Sequence, residues 1–503
     1  MKEDENLDAR LSRRELLCAA GAGAFALLDH SPLWSGILAG QTRRIVQFNL
    51  NLTTGQSQVL PGALTNVWRF TSSVAKGAPG SIVPIPGSYL GPLIKLKKGD
   101  VVKVTVNNLI AEDSVVHWHG LHVPANVDGH PSQSVLPGAS YSSMFPIVNR
   151  AGTYWYHPHP DMKTGGQVYN GLAGMIIVSD DEEKVLPLPR GNYDLPIVIQ
   201  DRVCDTGNQW VYVPNSFVGT LGNKILVNGK YTYIENVATR IYRLRILNGS
   251  NARIYKLAWD DASPMIVIGT DGGLLAQPAS KPYLTLGPGE RAEVWANFTN
   301  LPVGSDRVLK SLSFTGAGSG GGSGLAQGAA FDVMRFHCDR TESESLTLPS
   351  NLTNLGFFNP ANAVNAENPR TFAISIVNGK YVLNGEEFYM NQVASNEEVH
   401  LNDLEVWCFT NTASGTQVAH PLHLHGAQFQ VIERSVEPAK LANWQTVSGG
   451  FTDEGWKDTF IIMPGETVKI LVKFSRYTGV FLYHCHTLEH EDMGMMRNYR
   501  ILP

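Results

Sequence analysis

Residues 484–490 bring together side chains that bind transition metals. They contain His484, Cys485, His486 and His490, and Met495 follows shortly after. Because neighbouring side chains of an extended strand point to opposite faces, Cys485 would point one way and both flanking histidines the other. A thiolate, the imidazole of His490 and the thioether of Met495 supply three parts of a blue-copper site. The segment therefore predicts one copper site on the cysteine side and a second metal cluster on the opposite side.

The rest of the chain contains the imidazoles that such a cluster needs. With 15 histidines in 503 residues, chance gives roughly 0.4 histidine pairs spaced two apart. On extended backbone both members of such a pair face one cavity. The chain has four of these pairs: His117 and His119, His157 and His159, His423 and His425, and His484 and His486. His420, three residues before His423, is the natural second imidazole for the site of Cys485.

These histidines lie in four motifs that resemble those of the multicopper oxidase family, which includes laccases, bilirubin oxidases and bacterial cuprous oxidases. In chain order the motifs are His-Trp-His-Gly at 117–120, His-Pro-His at 157–159, His-Pro-x-His-Leu-His-Gly at 420–426 and His-Cys-His-x3-His at 484–490. The order is that of the family, and the resemblance covers nearly all of the mature chain. It implies a cofactor of four copper ions: one type 1, one type 2 and a coupled pair of type 3 ions.

The resemblance also assigns the copper ligands residue by residue. The type 1 ion would take His420, Cys485 and His490, with Met495 as axial ligand; the type 2 ion would take His117 and His423; the type 3 pair would take His119, His157, His159, His425, His484 and His486. Met495 could instead fill a gap in the core, as methionine often does. The remaining histidines are interpreted as structural residues: His30, His122, His130, His337 and His400.

Two carboxylates are candidates for delivering protons to bound oxygen. Resemblance to the bacterial branch of the family assigns this role to Asp128 and Glu491, which would act as general acids near the three-copper cluster. Each could instead orient a ligand imidazole. Asp128 could also be a turn residue in its Asp-Gly pair, and Glu491 a surface acid.

In the family, electrons from the substrate pass through the residues matching His490 and Cys485, so the resemblance implies a docking site near the exposed edge of His490.

The composition and the N-terminus bear on partners and location. A net charge of −5 indicates neither a nucleic-acid partner nor an acidic tail. Residues 1–40 are interpreted as a twin-arginine-type export signal, since Ser12-Arg13-Arg14 precedes an apolar run too short to span a membrane. An ordinary secretory signal or a surface amphipathic helix is the alternative. We therefore expect a periplasmic or otherwise extracytoplasmic monomer without a membrane span. A Cys204–Cys338 bridge would be permitted there, but its formation stays open.

The periodicity of the chain predicts an all-β fold. Alternating stretches at 101–106, 173–178, 240–247 and 468–474 follow turns such as those at 98–100 and 464–466, and Pro288-Gly289-Glu290 introduces a similar stretch at 291–298. We interpret them as three consecutive cupredoxin-like Greek-key β-sandwich domains at 42–182, 190–345 and 365–503. Cluster ligands would come from the first and third domains and the type 1 ligands from the third. The middle domain, without copper ligands, would act as a spacer and a wall for substrate. The Gly-rich segment 316–324 is either a mobile lid or a surface insertion.

An exported laccase-like oxidase is the function that these observations favour. It would couple one-electron oxidation of phenols, aromatic amines or low-valent metal ions to the four-electron reduction of O2 to water. A dedicated cuprous-ion oxidase in copper tolerance is the alternative, although residues 395–420 lack the methionine-rich insertion of that branch. A copper-free scaffold protein of the cell envelope would not need the ten histidines and Cys485. A copper nitrite reductase would not need the six type 3 histidines.

Overall fold

The computed structural model describes residues 44–77, 79–318, 324–412, 414 and 417–503. The predicted export signal at 1–40 and residues 319–323 of the Gly-rich segment lie outside the described residues. No helix within the described ranges is long and apolar enough to cross a bilayer.

The first pair of sheets takes its strands from residues 45–179. The strands are β1 (Ile45–Ser57), β2 (Thr65–Lys76), β3 (Ile82–Val83), β4 (Leu93–Lys97), β5 (Val101–Asn108), β6 (Val116–His117), β7 (Ser140–Pro146), β8 (Gly152–Pro158) and β9 (Gly174–Ser179). Short 3-10 turns follow β6 at Ala125–Val127 and Pro131–Gln133. Helix α1 (Thr164–Tyr169) precedes β9, and α2 (Asp181–Lys184) follows it.

The second pair of sheets takes its strands from residues 194–340. The strands are β10 (Asp194–Arg202), β11 (Lys224–Val227), β12 (Lys230–Tyr231), β13 (Ile234–Ala238), β14 (Ile241–Asn248), β15 (Tyr255–Trp259), β16 (Met265–Thr270), β17 (Gly273–Lys281), β18 (Leu284–Leu286), β19 (Arg291–Asn297), β20 (Asp306–Ser311) and β21 (Phe331–Arg340). A 3-10 turn at Gly191–Tyr193 precedes β10.

The third pair takes its strands from residues 370–502. The strands are β22 (Arg370–Val377), β23 (Lys380–Leu383), β24 (Glu398–His400), β25 (Leu404–Asn411), β26 (His420–Leu424), β27 (Phe429–Val436), β28 (Thr459–Ile462), β29 (Glu466–Lys473), β30 (Gly479–Cys485) and β31 (Met496–Leu502). Helix α3 (Leu441–Ser448) follows β27, and α4 (Leu488–Asp492) follows β30. The 3-10 turns lie at Pro360–Asn362, Ser395–Glu397 and Pro438–Lys440.

The sheets of the described chain repeat one topology three times. In one sheet of each pair, a strand lies parallel to a later strand, which has an antiparallel neighbour: β1–β5–β7, β10–β14–β19 and β22–β25–β29. In the other sheet an early strand lies parallel to the last strand in sequence, which has an antiparallel neighbour on its other side: β4–β9–β8, β13–β21–β20 and β24–β31–β30. The prediction of an all-β chain of three cupredoxin-like sandwiches is confirmed. The limits 42–182, 190–345 and 365–503 stay a prediction.

The repeat corrects one predicted equivalence between turns. Turns with a glycine at positive φ introduce β19 at Gly289 and β29 at Gly465. The turn at Gly99 is similar in sequence, but β5, which it introduces, occupies the sheet position of β14 and β25. The strand equivalent to β19 and β29 is β7, which is introduced by Gly138, also at positive φ. Glycine suits this repeated turn because it adopts positive φ at little cost.

The thiol of Cys485 lies inside the core of the third sandwich. Cys485 and Met495 belong to the same cluster of buried apolar side chains. Residues 194–340, which carry the second pair of sheets, are called the middle segment. Its side chains Val218, Leu221 and Ala252 pack into this cluster as well. The cysteine therefore lies where the third sandwich meets the middle segment, and burial there excludes water from the thiol.

A buried charge cluster joins the first and second sandwiches. Glu293 on β19 accepts hydrogen bonds from Arg243 Nε at 2.8 Å, Arg245 Nη1 at 2.7 Å and the hydroxyl of Thr153 on β8 at 2.7 Å. Burial alone would raise the pKa of Glu293, but the two guanidinium groups outweigh it and lower that pKa to about 2. The carboxylate is therefore charged, paired and dependent on both strands being in place.

Glu293→Gln tests the contribution of this cluster to stability. The change removes the carboxylate that both guanidinium groups share, while Arg243 keeps Glu183 and Arg245 keeps Asp194 as partners. We therefore expect the free energy of unfolding at pH 7 to fall by about 2 to 3 kcal/mol. Because the folded-state pKa lies below the ordinary value of 4.5, the carboxylate's contribution is present above pH 4.5 and is lost as the pH falls towards 2. Chemical denaturation of both proteins across this pH range measures the difference.

Glu433→Gln is the matched control, since Glu433 pairs with Lys469 at an exposed position. Its effect should stay below about 1 kcal/mol. Equal effects of the two substitutions, or a Glu293→Gln effect that stays constant down to pH 3, would contradict the role of the cluster.

Candidate metal centre

The four histidine pairs lie at the ends of four strands that face one another. Each pair has its first member near the end of β6, β8, β26 or β30 and its second member just beyond the strand. His117 is the cross-strand partner of His157, and His423 is the cross-strand partner of His484. Strand register therefore gathers the pairs into one chamber between the first and third sandwiches. All ten predicted ligand imidazoles and Cys485 are buried.

His117 and His423 point unprotonated nitrogens at each other. Nδ1 of His117 lies 2.6 Å from the backbone oxygen of Asp128, and Nδ1 of His423 lies 2.7 Å from that of Asp458. A carbonyl oxygen only accepts, so each Nδ1 carries the proton and each Nε2 presents a lone pair. The two Nε2 atoms are 3.3 Å apart. Two lone pairs at this distance repel unless a cation lies between them.

A second group of three imidazoles converges in the same way. Nε2 of His484 lies 3.1 Å from Nε2 of His425 and 3.4 Å from Nε2 of His159. Nδ1 of His425 donates to the carboxylate of Asp128 at 2.8 Å, and Nδ1 of His484 donates to the backbone oxygen of Cys485 at 3.1 Å. The Nε2 atoms of His425 and His484 are therefore left as acceptors that face a common point.

The third group contains buried nitrogens that have no hydrogen-bond partner among the described residues. They are His119 Nδ1, His157 Nε2 and both ring nitrogens of His486, and all are inaccessible to water. The ring centres of His119 and His157 lie 5.0 and 5.3 Å from that of His486. Buried nitrogens are ordinarily satisfied, so unpartnered ones that converge are suited to hold a cation. The donor set of the three groups, imidazole only, suits copper.

Cys485 forms a separate site on the opposite face of β30. Its Sγ lies 3.4 Å from Nδ1 of His420 and 3.5 Å from Nδ1 of His490. Its amide donates to the backbone oxygen of Met495, whose own amide donates to that of His490. The predicted alternation of Cys485 against His484 and His486 is therefore present, and the backbone brings Met495 to the thiol.

Burial sets the protonation states of these groups. It lowers the pKa of His420 well below its ordinary value and lowers that of His490 to about 3. It raises the pKa of Cys485 to about 12, so without a cation the thiol keeps its proton. Neutral imidazoles are the form that binds metals, and a bound cation would displace the thiol proton.

The two predicted carboxylates lie against the imidazole chamber. Asp128 is buried, and burial raises its pKa well above the ordinary value. Glu491 lies 3.4 Å from Nε2 of His159 and 3.1 Å from Nδ1 of His484. Burial opposes ionisation of Glu491, but those two imidazoles lower its pKa below the ordinary value. Neither residue is a surface acid.

Asp458 is a residue of the site that the sequence did not indicate. Its Oδ1 lies 3.1 Å from Nε2 of His119, and its backbone oxygen fixes His423. Both of its carboxylate oxygens accept hydrogen bonds at 2.6 Å from Arg291 on β19, and Lys457 beside it pairs with Asp271 at 3.1 Å. The middle segment is thus more than the predicted spacer, because Arg291 and Asp271 hold a residue that orients two imidazoles.

The edge of His490 is not exposed as the resemblance implied. Only 1% of His490 is accessible, and its Nε2 donates to the backbone oxygen of Phe217 at 3.3 Å. The ring of Tyr381 packs against it at 4.7 Å. The middle segment therefore covers the predicted docking edge with one carbonyl group.

Histidines and cysteines outside the chamber have structural surroundings. His122 donates to the backbone oxygen of Ser475, His130 contacts Asn498, and His337 pairs with Asp306. Cys204 and Cys338 are both free, so the open question of a bridge between them is answered against it.

Comparisons with known proteins agree with the motifs. Two family models described as multicopper oxidase match residues 67–183 and 359–503. A laccase of Bacillus stratosphericus is 31% identical over 473 residues, covering 83% of this chain and 90% of the relative. A protein of Xenorhabdus nematophila named cell division protein FtsP is 32% identical over 425 residues, covering 82% of this chain and 83% of that protein.

Solved structures extend the comparison to the fold. The crystal structure of the McoA multicopper oxidase from Aquifex aeolicus matches with a TM-score of 0.78 and 33% sequence identity. The match covers 93% of this chain and 100% of that chain. The chain therefore belongs to the multicopper oxidase family of copper-dependent oxidoreductases that use O2 as acceptor.

Proposed function

We propose that the protein is an exported, laccase-like oxidase that removes single electrons from phenols or aromatic amines and reduces O2 to water. The observation that carries this proposal is the position of Cys485 between His484 and His486. One strand end presents a thiol to the two imidazoles of His420 and His490 and presents two imidazoles to the chamber behind it.

The proposed copper sites follow the groups of converging nitrogens. His420, Cys485, His490 and Met495 would hold a type 1 ion, and His117 and His423 a type 2 ion. Two type 3 ions would be held by the remaining six imidazoles: His119, His157, His159, His425, His484 and His486. The facing Nε2 atoms of His117 and His423 and the separate group of buried nitrogens without hydrogen bonds support four ions rather than a single one.

When bound, copper supplies one-electron acceptance at the thiolate site and four-electron reduction of O2 at the cluster. The chain supplies the connection between the two sites, because the bonds from Cys485 to His484 and His486 join them directly. The chain also excludes water from both sites, since all these side chains are buried.

Asp128, whose pKa is raised, is proposed to hold a proton for the cluster, and Glu491, whose pKa is lowered, is proposed to accept protons and pass them on. Asp128 contacts His425, and Glu491 contacts His159 and His484, so both carboxyls lie beside imidazoles of the chamber. Reduction of O2 to two waters consumes four protons, and a buried chamber needs side chains that transfer protons from the solvent to the cluster. The same contacts orient the imidazoles, so each carboxyl would have both roles.

Phenols or aromatic amines are favoured over cuprous ion as the reductant. The backbone oxygen of Phe217 contacts His490, and no methionine lies between residues 395 and 420. A copper-free scaffold is the second candidate, because three relatives are named cell division protein FtsP. Retention of every predicted ligand opposes it.

Export by a twin-arginine route is proposed from Arg13 and Arg14, since that route carries folded, metal-loaded proteins.

Cys485→Ser tests the proposed connection between the two sites. We expect the wild-type protein to consume O2 with a phenol such as 2,6-dimethoxyphenol. The variant should lose this activity and the blue colour because a hydroxyl is a poor ligand for copper at this site. It should keep the cluster coppers. Oxygen uptake and copper analysis of both proteins measure these effects, and Cys408→Ser, which alters another buried cysteine of the third sandwich, is the control.

Retention of phenol oxidation by Cys485→Ser would contradict the connection. Wild-type oxygen uptake with cuprous ion but not with the phenol would replace the laccase-like proposal with metal oxidation.

Asp128→Asn tests proton supply separately from electron supply. Asparagine keeps an oxygen that can accept from His425 but cannot hand over a carboxyl proton, so re-oxidation by O2 should slow on the order of 10²-fold. Anaerobic bleaching of the blue colour by the phenol should proceed at close to the wild-type rate. Stopped-flow absorbance follows both half-reactions.

Asp181→Asn, at a highly exposed position paired with Lys97, is the control and should alter neither half-reaction. Equal slowing of both half-reactions by Asp128→Asn would show that Asp128 only shapes the site.

A further inference from the structure

We propose that a cavity between the first and third sandwiches is a binding site for a small aromatic carboxylate. The inference goes beyond the proposed oxidase, because none of the residues that line this cavity is a predicted copper ligand. The cavity has a volume of about 340 Å³, which lies at the small end of the range for ligand pockets. A single aromatic ring with one charged substituent is an occupant of suitable size.

Three parts of the chain form the walls of the cavity. Leu121 and residues 148–150 belong to the first sandwich, and Trp456 and Lys473 belong to the third. The segment that connects the second sandwich to the third contributes residues from 355–358. An occupant would therefore contact both sandwiches and the connecting segment.

The connecting segment is held in place at the cavity. Nε1 of Trp456 donates to the backbone oxygen of Leu355 at 2.9 Å, and the amide of Phe358 donates to the side-chain oxygen of Gln430 at 2.8 Å. This wall is therefore already formed in the protein without a ligand. A ligand does not have to order it, which lowers the entropy cost of binding.

The charged side chains that line the cavity are both cations. They are Arg150 and Lys473, and the lining contains no aspartate or glutamate. His122 also lines the cavity and is neutral at pH 7, because burial lowers its pKa to about 4. The charge of the lining therefore favours an anion.

Arg150 has a hydrogen-bond donor to offer to that anion. Its Nη1 is inaccessible to water and has no hydrogen-bond partner among the described residues. Its Nη2 donates to the hydroxyl of Thr353 at 2.6 Å, and that hydroxyl in turn donates to Glu182. Because guanidinium and carboxylate groups form short, charge-assisted hydrogen bonds, a carboxylate suits the free donor.

Two aromatic side chains favour a ring over an inorganic anion. The rings of Phe358 and Trp456 both line the cavity, and their centres lie 5.7 Å apart at an angle of 73°. Nζ of Lys473 lies 5.3 Å from the centre of the Phe358 ring, so a cation and an aromatic surface are adjacent. Aromatic rings pack favourably edge to face or offset. A carboxylate attached to a ring would use both features at once.

Calorimetric titration of the copper-loaded protein with benzoate tests the inference. Benzamide has nearly the same shape without the charge and should bind about tenfold more weakly. Sulfate has the charge without the ring and should also bind about tenfold more weakly. Because a ligand of the folded state stabilises it, saturating benzoate should raise the Tm of the protein.

Substitutions assign the binding to this cavity. Arg150→Gln should raise the Kd for benzoate about tenfold, because the charged donor is lost. Lys473→Gln should raise it about threefold, since this side chain is only partly buried. Lys469→Gln is the matched control on the same strand, β29, and should leave the Kd unchanged because Lys469 pairs with Glu433 at the surface.

An unchanged Kd in a folded Arg150→Gln protein would overturn the inference, because a carboxylate bound elsewhere, such as at the copper ions, would give that result. If Arg150→Gln does not fold, an unchanged Kd in Lys473→Gln would overturn it instead. Equal affinity for benzoate and benzamide, equal affinity for benzoate and sulfate, or no benzoate binding at all would also overturn it. A protein that binds no copper would overturn the proposed oxidase, whereas the predicted benzoate results would still support this site.

Discussion

The structure depends on a group of buried imidazoles whose nitrogen lone pairs face one another. Backbone carbonyl oxygens accept hydrogen bonds from Nδ1 of His117 and of His423. The Nε2 atoms of the two imidazoles, which carry lone pairs, therefore face each other at 3.3 Å in a buried chamber. Such an arrangement is unfavourable on its own and becomes favourable when a cation enters. The surrounding strands have to hold the imidazoles against this repulsion, which explains why each histidine pair is anchored at the end of a paired strand.

The middle segment contributes without supplying a predicted ligand. Arg291 holds Asp458, which in turn positions His119 and His423, and Phe217 covers His490. One contact lies behind the chamber and the other over the thiol site. Truncating or displacing this segment would therefore disturb both sites at once, although all the histidines would still be present.

The parts of the site that follow a local sequence pattern could be predicted. Histidines two residues apart on extended backbone predicted that each pair faces one cavity. The alternation of side chains around Cys485 predicted that the thiol site and the imidazole cluster lie on opposite faces of the strand. Asp458 and Phe217 could not be found in this way, because their contacts cross 167 and 273 residues of chain and follow no local pattern. The turn at Gly99 shows the same limit: its sequence resembles the other turns, but only the strand order reveals that Gly138 is the true equivalent.

The most direct test of the account is the copper content of the purified, copper-loaded protein together with its optical spectrum. About four copper ions per chain, a blue band from the thiolate site and a near-ultraviolet band from a coupled pair are the predicted result. A protein that stays colourless after full copper loading, or that binds a single ion, would contradict the claim that the facing imidazoles and Cys485 form two connected copper sites.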